Sequence, residues 1–303
     1  MRNKFADVFF EESKRNDKLV LVVADISPAG SVAKFREAYP DRFINTGVAE
    51  QIMIGMTAGL AQEGMRPVAY TIATFTLYRP FEFVRDDICY QNLPVTMVGV
   101  GGGVNYSTLG ATHHAQEDIS IATSIPNMSV IAPSDPLEVD AATRWCLGTS
   151  NGPVYLRLGK AGEPTFTASA EEPWTYGKIR LVKKGSKTAF LTYGGISKIA
   201  FQLVAEKKYQ DASVYSVSTI KPLDVERLRW ILTHYDEVVV IEETSGTGTL
   251  GNQIKRLAFD HGAHATIRHF HLQDEFIHIY GSHDDVLNAH GLSFEKIKST
   301  LAA

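Results

Sequence analysis

The run Leu19–Asp25, "LVLVVAD", is a short segment of β-branched and other apolar residues. Such a run is typical of a strand that is buried on both faces of a parallel sheet. Similar runs follow in "RPVAYTIAT", "LPVTMVGVGGG", "MSVIAPS" and "PVYLRLG", and helical patterns separate them. This alternation predicts an α/β fold with a mainly parallel sheet that is flanked by helices.

A stretch of different composition, "KAGEPTFTASAEEPWTY", covers residues 160–176 and contains prolines, small polar residues and acids. Such a composition is typical of a linker. A second α/β series follows it, with apolar runs such as "KTAFLTYGG" and "EVVVIEETS". We therefore predict two domains, residues 1–162 and 177–303, joined by a linker at 163–176.

The bulk composition excludes several classes of protein. The net charge is −4, from 30 basic and 34 acidic residues, so no charge excess indicates binding to nucleic acid or to an anionic membrane. Two cysteines, Cys89 and Cys146, are too few for a disulfide framework and indicate a reducing compartment. Charges interrupt the apolar runs near the N-terminus, so neither a signal peptide nor a membrane span is expected. These features predict a cytoplasmic protein.

The segment Asn45–Pro67, "NTGVAEQIMIGMTAGLAQEGMRP", places Glu50 at the start of a helix that is apolar on nearly all sides. Such a helix is expected to be buried against its neighbours. Burial of a carboxylate costs free energy unless the group has a partner or a task. Glu50 is therefore a candidate functional residue; the structural alternative is an acid that the helix dipole favours.

Ligands of parallel α/β sheets collect at the carboxyl ends of the strands. Polar residues and glycines stand at these ends in Asp25, Thr74, Gly101–Gly103 and Ser134, so the first domain is the expected active domain. Further candidates are an aromatic triplet, a histidine pair after the glycine-rich loop and an arginine at a strand end, namely Phe75, Tyr78, Phe81, His113, His114 and Arg157. Taken singly, they have structural alternatives: core packing, solvated histidines and an interdomain ion pair.

Several separated motifs occur together in one order: "DRFINTGVAEQ", "NLPV", "GATHH", "IPNMSVIAPSD" and "GPVYLR". In this order the sequence resembles transketolase and its relative deoxyxylulose-phosphate synthase. The resemblance is to their pyrimidine-binding and C-terminal domains and extends over nearly all 303 residues. It implies a transferase that moves a two-carbon ketol unit from a ketose donor to an aldehyde acceptor.

The resemblance also implies thiamine diphosphate as the cofactor. Glu50 matches the glutamate that hydrogen-bonds the aminopyrimidine ring, which favours the imino tautomer that removes the C2 proton of the thiazolium ring. An apolar pocket disfavours the charged form of a carboxyl, so such a group can hold or give a proton. Phe75, Tyr78 and Phe81 are candidates to stack on the pyrimidine, and Asp25 of "ADISPAG" matches a cofactor-side aspartate.

Substrate roles follow from the same resemblance. His113 matches the histidine of a "THQ" stretch that positions and protonates substrate oxygens, and His114 stands beside it. Arg157 matches an arginine that holds the far, often phosphorylated, end of the sugar, where a guanidinium binds in a bidentate manner. The resemblance thus implies that Glu50 and His113 are catalytic, and that His113, His114 and Arg157 bind substrate.

A diphosphate-binding domain with a "GDG…N" metal motif is not found in the sequence. Since the family holds its cofactor between such a domain and the pyrimidine-binding domain, we expect a split enzyme with a separate diphosphate-binding subunit. Symmetry then predicts an α2β2 assembly. Mg²⁺ or Ca²⁺ is expected on the partner subunit, and no metal site is expected on this chain.

Three positions depart from the transketolase pattern. An acid just before the "THQ" histidine is replaced at Leu109, a phosphate-contacting histidine is replaced by glycine near Gly101, and a serine becomes Ala29. The loss of charge and of hydrogen-bond donors weakens phosphate capture. These departures predict a modified acceptor that is less hydroxylated or not phosphorylated.

Two other enzyme classes share part of the pattern. The β subunit of a 2-oxo acid dehydrogenase has the same two-domain layout and the glutamate. However, "IPNMSVIAPSDPLEVDAA" and "GPVYLRLG" are closer to transketolase. A synthase that resembles deoxyxylulose-phosphate synthase is the other alternative.

The second domain contains "GTGTLG" at Gly246–Gly251, which fits the G-x-G-x-x-G pattern of dinucleotide-binding loops. Glu242 and Glu243 end the preceding strand and would repel a pyrophosphate, so a structural role is expected for the glycines. Four histidines follow, without cysteines and without a zinc spacing, and we expect them to lie at the surface or at an interface: His261, His264, His269 and His271.

Overall fold

The computed structural model describes residues 1–25 and 32–302, which form two α/β domains with a seven-stranded and a five-stranded sheet. A π-helical turn (Val84–Tyr90) extends the short helix α5, and 3-10 turns occur at Pro40–Arg42, Ser107–Leu109 and Ala111–His113. The elements of the first domain, in chain order, are α1 (Arg2–Ser13), β1 (Leu19–Val23), α2 (Ala33–Ala38), β2 (Phe43–Asn45), α3 (Glu50–Gln62), β3 (Arg66–Ile72), α4 (Ala73–Leu77), α5 (Phe81–Phe83), β4 (Thr96–Val100), α6 (Asp118–Ser124), β5 (Ser129–Ile131), α7 (Pro136–Gly148) and β6 (Val154–Leu158).

The second domain follows the same alternation of strands and helices. Its elements, in chain order, are β7 (Arg180–Lys183), β8 (Thr188–Thr192), α8 (Ser197–Ala205), β9 (Ser213–Ser216), β10 (Thr219–Lys221), α9 (Val225–His234), β11 (Glu237–Ser245), α10 (Leu250–Asp260), β12 (Thr266–Leu272), α11 (His283–Ala289) and α12 (Phe294–Ala302).

Both sheets are mainly parallel, as the alternating pattern predicts. The first has the strand order β10-β5-β6-β4-β3-β1-β2, and the second β12-β11-β8-β9-β7. All residues of β1, β4 and β6 are buried. Val20 and Val22 of β1 belong to one apolar cluster, whereas Leu19, Leu21 and Val23 belong to another. The central strands are thus covered on both faces, which confirms the predicted fold class.

One predicted strand, "SVYSVSTIKPLD", is two strands that belong to different sheets. β9 pairs with β8 in the second sheet, whereas β10 runs antiparallel to β5 at the edge of the first sheet. The crossing occurs at residues 217–218, where the Val217 N–H donates to Thr192 O at 2.9 Å and the Ala132 N–H donates to Ser218 O at 2.7 Å. The first sheet is therefore completed by residues from beyond the linker.

Residues 163–176, all of which the structure describes, form neither helix nor strand. The segment is nevertheless attached to both domains through its aromatic side chains. The ring of Tyr176 stacks on Trp145 of α7 with centroids 3.7 Å apart, and Phe166 stacks on Phe201 of α8 at 4.9 Å. These contacts connect the linker to each domain at a separate place.

Helix α3 is buried on one side only, so the expectation that it is buried all round is wrong for this chain. Met53, Ile54 and Ala58 pack into the core of the first domain. On the opposite side Ile52 is 58% exposed, and Val48 just before the helix is 70% exposed. Met56, four residues after Ile52 and on the same helix face, is 38% exposed, so Ile52 and Met56 form an apolar strip at the surface, with Val48 exposed just before the helix.

The longest α-helices among the described residues, α3 and α7, have 13 residues each. An α-helix needs about 20 apolar residues to cross the hydrocarbon core of a bilayer. No helix in the described parts of the chain has the length and apolar character to cross a membrane.

Candidate active site

Glu50 is the first residue of α3, and its side chain is almost fully buried, with 2% of the residue exposed. The chain reaches it from β2 through a turn in which the Thr46 N–H donates to Val23 O at 2.9 Å. Gly47 follows with φ at 70°, a conformation that favours glycine. The turn therefore fixes where α3 begins, and with it the position of the carboxyl.

The partner of Glu50 is Arg79, whose Nη1 lies 2.8 Å from Glu50 Oε2. Among the described residues this is the one side chain that hydrogen-bonds to the Glu50 carboxyl. The side chain of Arg79 is 42% exposed, so the carboxyl is deep and its counter-charge is close to the surface. The start of a helix also stabilises a negative charge. The Glu50 carboxylate thus has a charge partner, and this partner is the partly exposed Arg79.

Phe75 links this ion pair to the predicted histidine. The Arg79 guanidinium lies over the Phe75 ring at 4.7 Å, and the His113 ring meets Phe75 edge-on with centroids 5.3 Å apart. A carboxylate, a guanidinium, an aromatic ring and an imidazole therefore form one continuous series of contacts at the carboxyl ends of the strands. We call Glu50, Phe75, Arg79 and His113 the Glu50 cluster.

His113 is half-buried at the end of a 3-10 turn. Its Nδ1 lies 3.0 Å from Thr112 Oγ1, and the ring of Tyr106 approaches it at 6.4 Å. Burial lowers the pKa of His113 below its ordinary value, because a charged imidazole loses hydration there. The neutral form is favoured, and a neutral imidazole can take up a proton or share one with a bound oxygen.

The aromatic triplet is divided by the structure. Phe75 belongs to the Glu50 cluster, whereas the Tyr78 hydroxyl donates to Glu117 Oε2 at 3.0 Å and accepts from the Glu117 N–H at 3.1 Å. Burial raises the pKa of Tyr78 far above its ordinary value. Phe81 is 39% exposed in α5. Contact of Tyr78 and Phe81 with a pyrimidine remains a prediction.

Arg157 lies at the predicted strand end, but its guanidinium is buried and already bonded. Nε donates to Asp118 Oδ2 at 2.7 Å, and Nη2 donates to the backbone carbonyl of Glu243 at 2.8 Å. Although burial alone would lower the pKa of Arg157, the charge of Asp118 outweighs it and the pKa is raised. The ion pair with Asp118 lies within the first domain, and the bond to the Glu243 carbonyl crosses to the second domain. Among the described residues, Arg157 thus forms an interdomain hydrogen bond and not the interdomain ion pair that the sequence left open, and its substrate role remains a prediction.

His114 is buried, with 3% of the residue exposed. Among the described residues its ring nitrogens meet no hydrogen-bond partner of good geometry, although the backbone of Ser107 offsets part of the lowering of its pKa. Burial lowers its pKa, and Glu243 and His283 of the second domain are among the charged groups that act on it. His114 therefore belongs to the contact between the domains, and its contact with substrate stays a prediction.

Asp25 is exposed and has a positive φ of 45°, which is uncommon for a residue with a side chain. Its N–H donates to Asn45 Oδ1 at 3.2 Å, next to the turn that leads to Glu50. Such backbone conformations cluster at functional sites. Its cofactor role stays a prediction, and Ala29, one of the departures from the family pattern, lies outside the described residues.

Gly101, near which the resemblance implies a phosphate-contacting histidine in the family, has a structural reason to be glycine. Gly101 has φ at 74°, and a Cβ built on it would lie 2.5 Å from Cδ2 of Tyr106. The Tyr106 ring thus fills the space into which a side chain at residue 101 would point. The other departure in this loop, Leu109, is 49% exposed.

Sequence reasoning missed four residues that the structure places in or around the site. Arg79 holds the Glu50 carboxyl, Tyr106 covers Gly101, Glu117 holds Tyr78, and Asp118 holds Arg157. Acids next to the predicted histidines, in "HHAQED", were the signal that could have found Glu117 and Asp118. Arg79 follows Phe75 by four residues, which is helical spacing.

At the glycine motif of the second domain, Gly246–Gly251, the place that a pyrophosphate would take is occupied by a carboxylate of this chain. The Glu242 carboxylate accepts from the N–H groups of Leu250 and Gly251 at 3.1 and 3.0 Å, and from the hydroxyls of Thr249 and Tyr193 at 2.7 and 2.8 Å. These N–H groups open α10, where a pyrophosphate would bind in a dinucleotide fold. The structural role expected for these glycines agrees with this geometry.

The four histidines near β12 do not behave alike. The side chain of His269 is buried, and its Nε2 lies 2.5 Å from Glu242 Oε1. His271 Nδ1 lies 2.8 Å from the carbonyl of Leu272, whereas His261 and His264 are exposed. In the described parts of the chain, no group of three or more His, Cys, Asp or Glu is placed to hold a metal ion.

Comparison with known proteins agrees with this geometry. The family profile described as transketolase, pyrimidine binding domain, matches residues 1–162, and the profile described as transketolase, C-terminal domain, matches residues 177–297. The two α/β domains are therefore a transketolase pyrimidine-binding domain followed by a transketolase C-terminal domain. The chain belongs to the transketolase family.

Individual relatives point to split enzymes. The apulose-4-phosphate transketolase subunit of Actinobacillus succinogenes is 31% identical over 301 residues, which cover 98% of this chain and 96% of that protein. The 6-deoxy-6-sulfo-D-fructose transketolase subunit SqwH of a Clostridium species is 34% identical over 254 residues, covering 83% and 78%. In contrast, the chain spans 48% of the 1-deoxy-D-xylulose-5-phosphate synthase of Clostridium perfringens, at 31% identity.

A solved structure described as split gene transketolase, inactive beta4 tetramer, matches with a TM-score of 0.86 at 27% identity, covering 99% of this chain and 96% of that one. These comparisons confirm the predicted family and the predicted role as one subunit of a split transketolase-type transferase. They favour transketolase over the β subunit of a 2-oxo acid dehydrogenase. Enzymes of the family depend in general on thiamine diphosphate.

Proposed function

We propose that this chain, together with a diphosphate-binding subunit, transfers a two-carbon ketol unit from a ketose donor to an aldehyde acceptor. The observation that carries the proposal is the burial of Glu50 at the first residue of α3. Its carboxyl stands in one series of contacts with the Phe75 ring and the His113 imidazole. A carboxyl, a flat apolar ring and a neutral imidazole are the groups that this reaction needs from the pyrimidine-binding subunit.

The donor set fits the aminopyrimidine ring of thiamine diphosphate. A buried carboxyl can hydrogen-bond a ring nitrogen, and Phe75 offers an aromatic face beside it. The Glu50 carboxyl has one hydrogen-bonded side chain among the described residues, Arg79, which lies at the surface and can therefore move aside. When bound, thiamine diphosphate supplies a nucleophilic carbon and an electron sink.

The residues of this chain would then have separate tasks. Glu50 holds or gives a proton at the pyrimidine nitrogen, and Arg79 balances its charge when the ring is absent. His113 exchanges a proton with a substrate oxygen, for which its lowered pKa keeps the neutral form ready. Phe75 lies between Arg79 and His113 and would offer its ring to the pyrimidine.

The surface around the Glu50 cluster supports assembly with a partner. Val48 and Ile52 expose apolar side chains next to Glu50, and contiguous exposed apolar surface is typical of interaction sites. Relatives of nearly equal length are named as subunits of transketolases, and one is named as a transketolase C-terminal section. We place the diphosphate site and its Mg²⁺ or Ca²⁺ on the partner subunit, in an α2β2 assembly.

The acceptor would be modified at its far end, either less hydroxylated or without a phosphate. Two observations support this part of the proposal: the Arg157 guanidinium is bonded to Asp118 and to a backbone carbonyl, and Tyr106 occupies the space over Gly101. One relative is named for a phosphorylated sugar and another for a sulfonated one. The loop at residues 101–114 is the place where such preferences would differ.

Isothermal titration with thiamine diphosphate and Mg²⁺ tests the split-subunit proposal. This chain alone should bind the cofactor weakly, whereas the chain mixed with the diphosphate-binding subunit should bind it tightly and should transfer ketol units. Micromolar binding to the chain alone, or ketol transfer without a partner, would overturn the proposal.

The acceptor is tested separately, by comparing kcat/KM of the complex for phosphorylated, sulfonated and uncharged aldehydes. A strong preference for ordinary pentose phosphates would contradict the modified acceptor.

A further inference from the structure

The loop that carries His113 leaves the first sheet after β4 but is closed and packed against the second domain. Gly103 and Ala115 form an antiparallel bridge, with N···O distances of 3.1 and 2.7 Å, that closes the loop of residues 104–114. Val104, the first residue of this loop, is fully buried among the apolar side chains of the second domain. The loop is therefore anchored in a domain other than the one in which it begins.

The exit of the loop is held by the same domain. The backbone carbonyl of Gln116 accepts from the Ser245 N–H at 2.7 Å and from the Thr244 hydroxyl at 2.6 Å. Both donors stand at the end of β11. The exit of the loop of residues 104–114 is thus bonded to the end of β11.

Glu243, also on β11, is the centre of this contact. Its Oε1 accepts from the Val104 N–H at 2.8 Å and from Asn105 Nδ2 at 3.2 Å. Gly103 lies so close that a Cβ there would be 2.6 Å from Glu243 Cγ. Although burial alone would raise the pKa of Glu243, its charged and hydrogen-bonded partners lower it, so the carboxylate is ionised.

His283 completes the contact from α11. Its Nε2 lies 2.8 Å from Glu243 Oε1, and its side chain is 29% exposed. Ser282 and Asp285 form a capping box that fixes the first turn of α11 and therefore the position of His283. A charged donor on a buried carboxylate is among the stronger hydrogen bonds of proteins.

We propose that Glu243 and His283 are positioning residues, which hold loop 104–114 in the conformation that presents His113 to the substrate. The catalytic role of His113 rests on the proposed function. The attachment of loop 104–114 to the second domain does not, because it involves this chain alone. In this account the second domain, which contributes no residue to the Glu50 cluster, acts on the reaction through the loop.

The contact has a defined pH dependence. Burial alone would lower the pKa of His283, but the charge and hydrogen bond of Glu243 raise it above its ordinary value of 6.5. The charged or titratable groups that act on it or lie beside it are Glu243, Lys198, Asp284 and His114. Because the folded pKa is raised, the stabilisation by the pair is complete below pH 6.5 and is lost as the pH rises through the folded pKa.

The test is amide hydrogen exchange at Val104, measured by NMR in the chain alone, together with kcat in the reconstituted complex. His283→Phe keeps a ring but removes the donor, so Val104 exchange should accelerate about tenfold, the value of one charged hydrogen bond. The kcat should fall while the affinity for thiamine diphosphate stays unchanged. His283→Gln retains an N–H donor at the Nε2 position and should restore slow exchange and kcat.

His264→Phe is the matched control, because His264 is exposed, precedes β12 and is not among the groups that bond to Glu243. It should change neither quantity. Unchanged exchange at Val104 in His283→Phe, or acceleration spread evenly over the whole chain, would overturn the proposal. If Val104 alone responds but even the wild-type complex transfers no ketol unit, the attachment of the loop is supported and the proposed function fails.

Discussion

The glycine-rich loop after β4 and the one after β11 start from similar sequence chemistry, but different groups cover them. Over the second loop lies Glu242, a buried carboxylate with donors from two backbone N–H groups, two hydroxyls and His269. Glu243 holds the first loop in a similar way, through the Val104 N–H, Asn105 and His283. In contrast, Glu50 at the start of α3 is equally buried, but its one hydrogen-bonded side chain among the described residues is the half-exposed Arg79. Glycine spacing alone does not distinguish a binding loop from a structural one. The number of partners of each buried carboxylate does separate Glu50, which has one, from Glu242 and Glu243, which have several.

The largest expected effect on stability is at Glu242. Glu242→Ala leaves His269 and several buried donors without their acceptor, and we expect a loss of about 3–5 kcal/mol in the free energy of unfolding. Urea denaturation of the chain alone measures it. The matched substitution at the other carboxylate, Glu50→Ala, should cost less, because its charge partner can turn to solvent. Equal losses at the two positions would remove the distinction between the two carboxylates.

A smaller loss is expected from closing the space above the glycines. In Gly251→Ala the new Cβ would lie 2.5 Å from Cε1 of the His269 ring, and we expect a cost of about 1–3 kcal/mol. Gly101→Ala should cost a similar amount because of Tyr106 and the positive φ. Gly110 has a positive φ, but in the described parts of the chain nothing lies within 4 Å of its Cβ position, so Gly110→Ala is the control that measures backbone strain alone. If the three variants denature alike, close contact is not the reason for the glycines.

The smallest expected effect concerns pH. His290 is buried, its Nδ1 accepts from the Gln273 N–H at 3.2 Å, and burial lowers its pKa below 6.5. Because the folded pKa is lowered, the unfolded chain gains a proton first as the pH falls through 6.5, and stability decreases towards acid. Denaturation at pH 7.5 and 5.5 should show this decrease, and His290→Gln should reduce it. A His290→Gln variant with the full acid dependence would assign the effect to other groups, such as His114.

The strands of the two sheets were predictable where they are buried on both faces, because short length, flanking turn residues and enrichment in β-branched residues together favour a strand over a buried helix. The edge strands β2 and β7 were missed, since they are short and only partly buried. The division of "SVYSVSTIKPLD" between two sheets could not be predicted, because the crossing at residues 217–218 depends on hydrogen bonds to distant strands.

The site shows the same limit. Glu50 and Phe75 could be selected from local pattern and resemblance, and the structure brings them together through Arg79. The partners of Arg157 are 39 and 86 residues away in the sequence, so only the fold shows that its guanidinium is already bonded. Pairing across domains is decided by tertiary structure, and no local pattern reports it.

The most direct test of the account is kcat for ketol transfer by the reconstituted complex with Glu50→Gln, compared with Glu63→Gln at the exposed end of the same helix. The amide has the shape of the carboxyl but cannot exchange the proton, so we predict that Glu50→Gln lowers kcat about a thousandfold. Glu63→Gln should leave kcat unchanged. A Glu50→Gln complex that binds thiamine diphosphate and turns over within about twofold of the wild type would contradict the account.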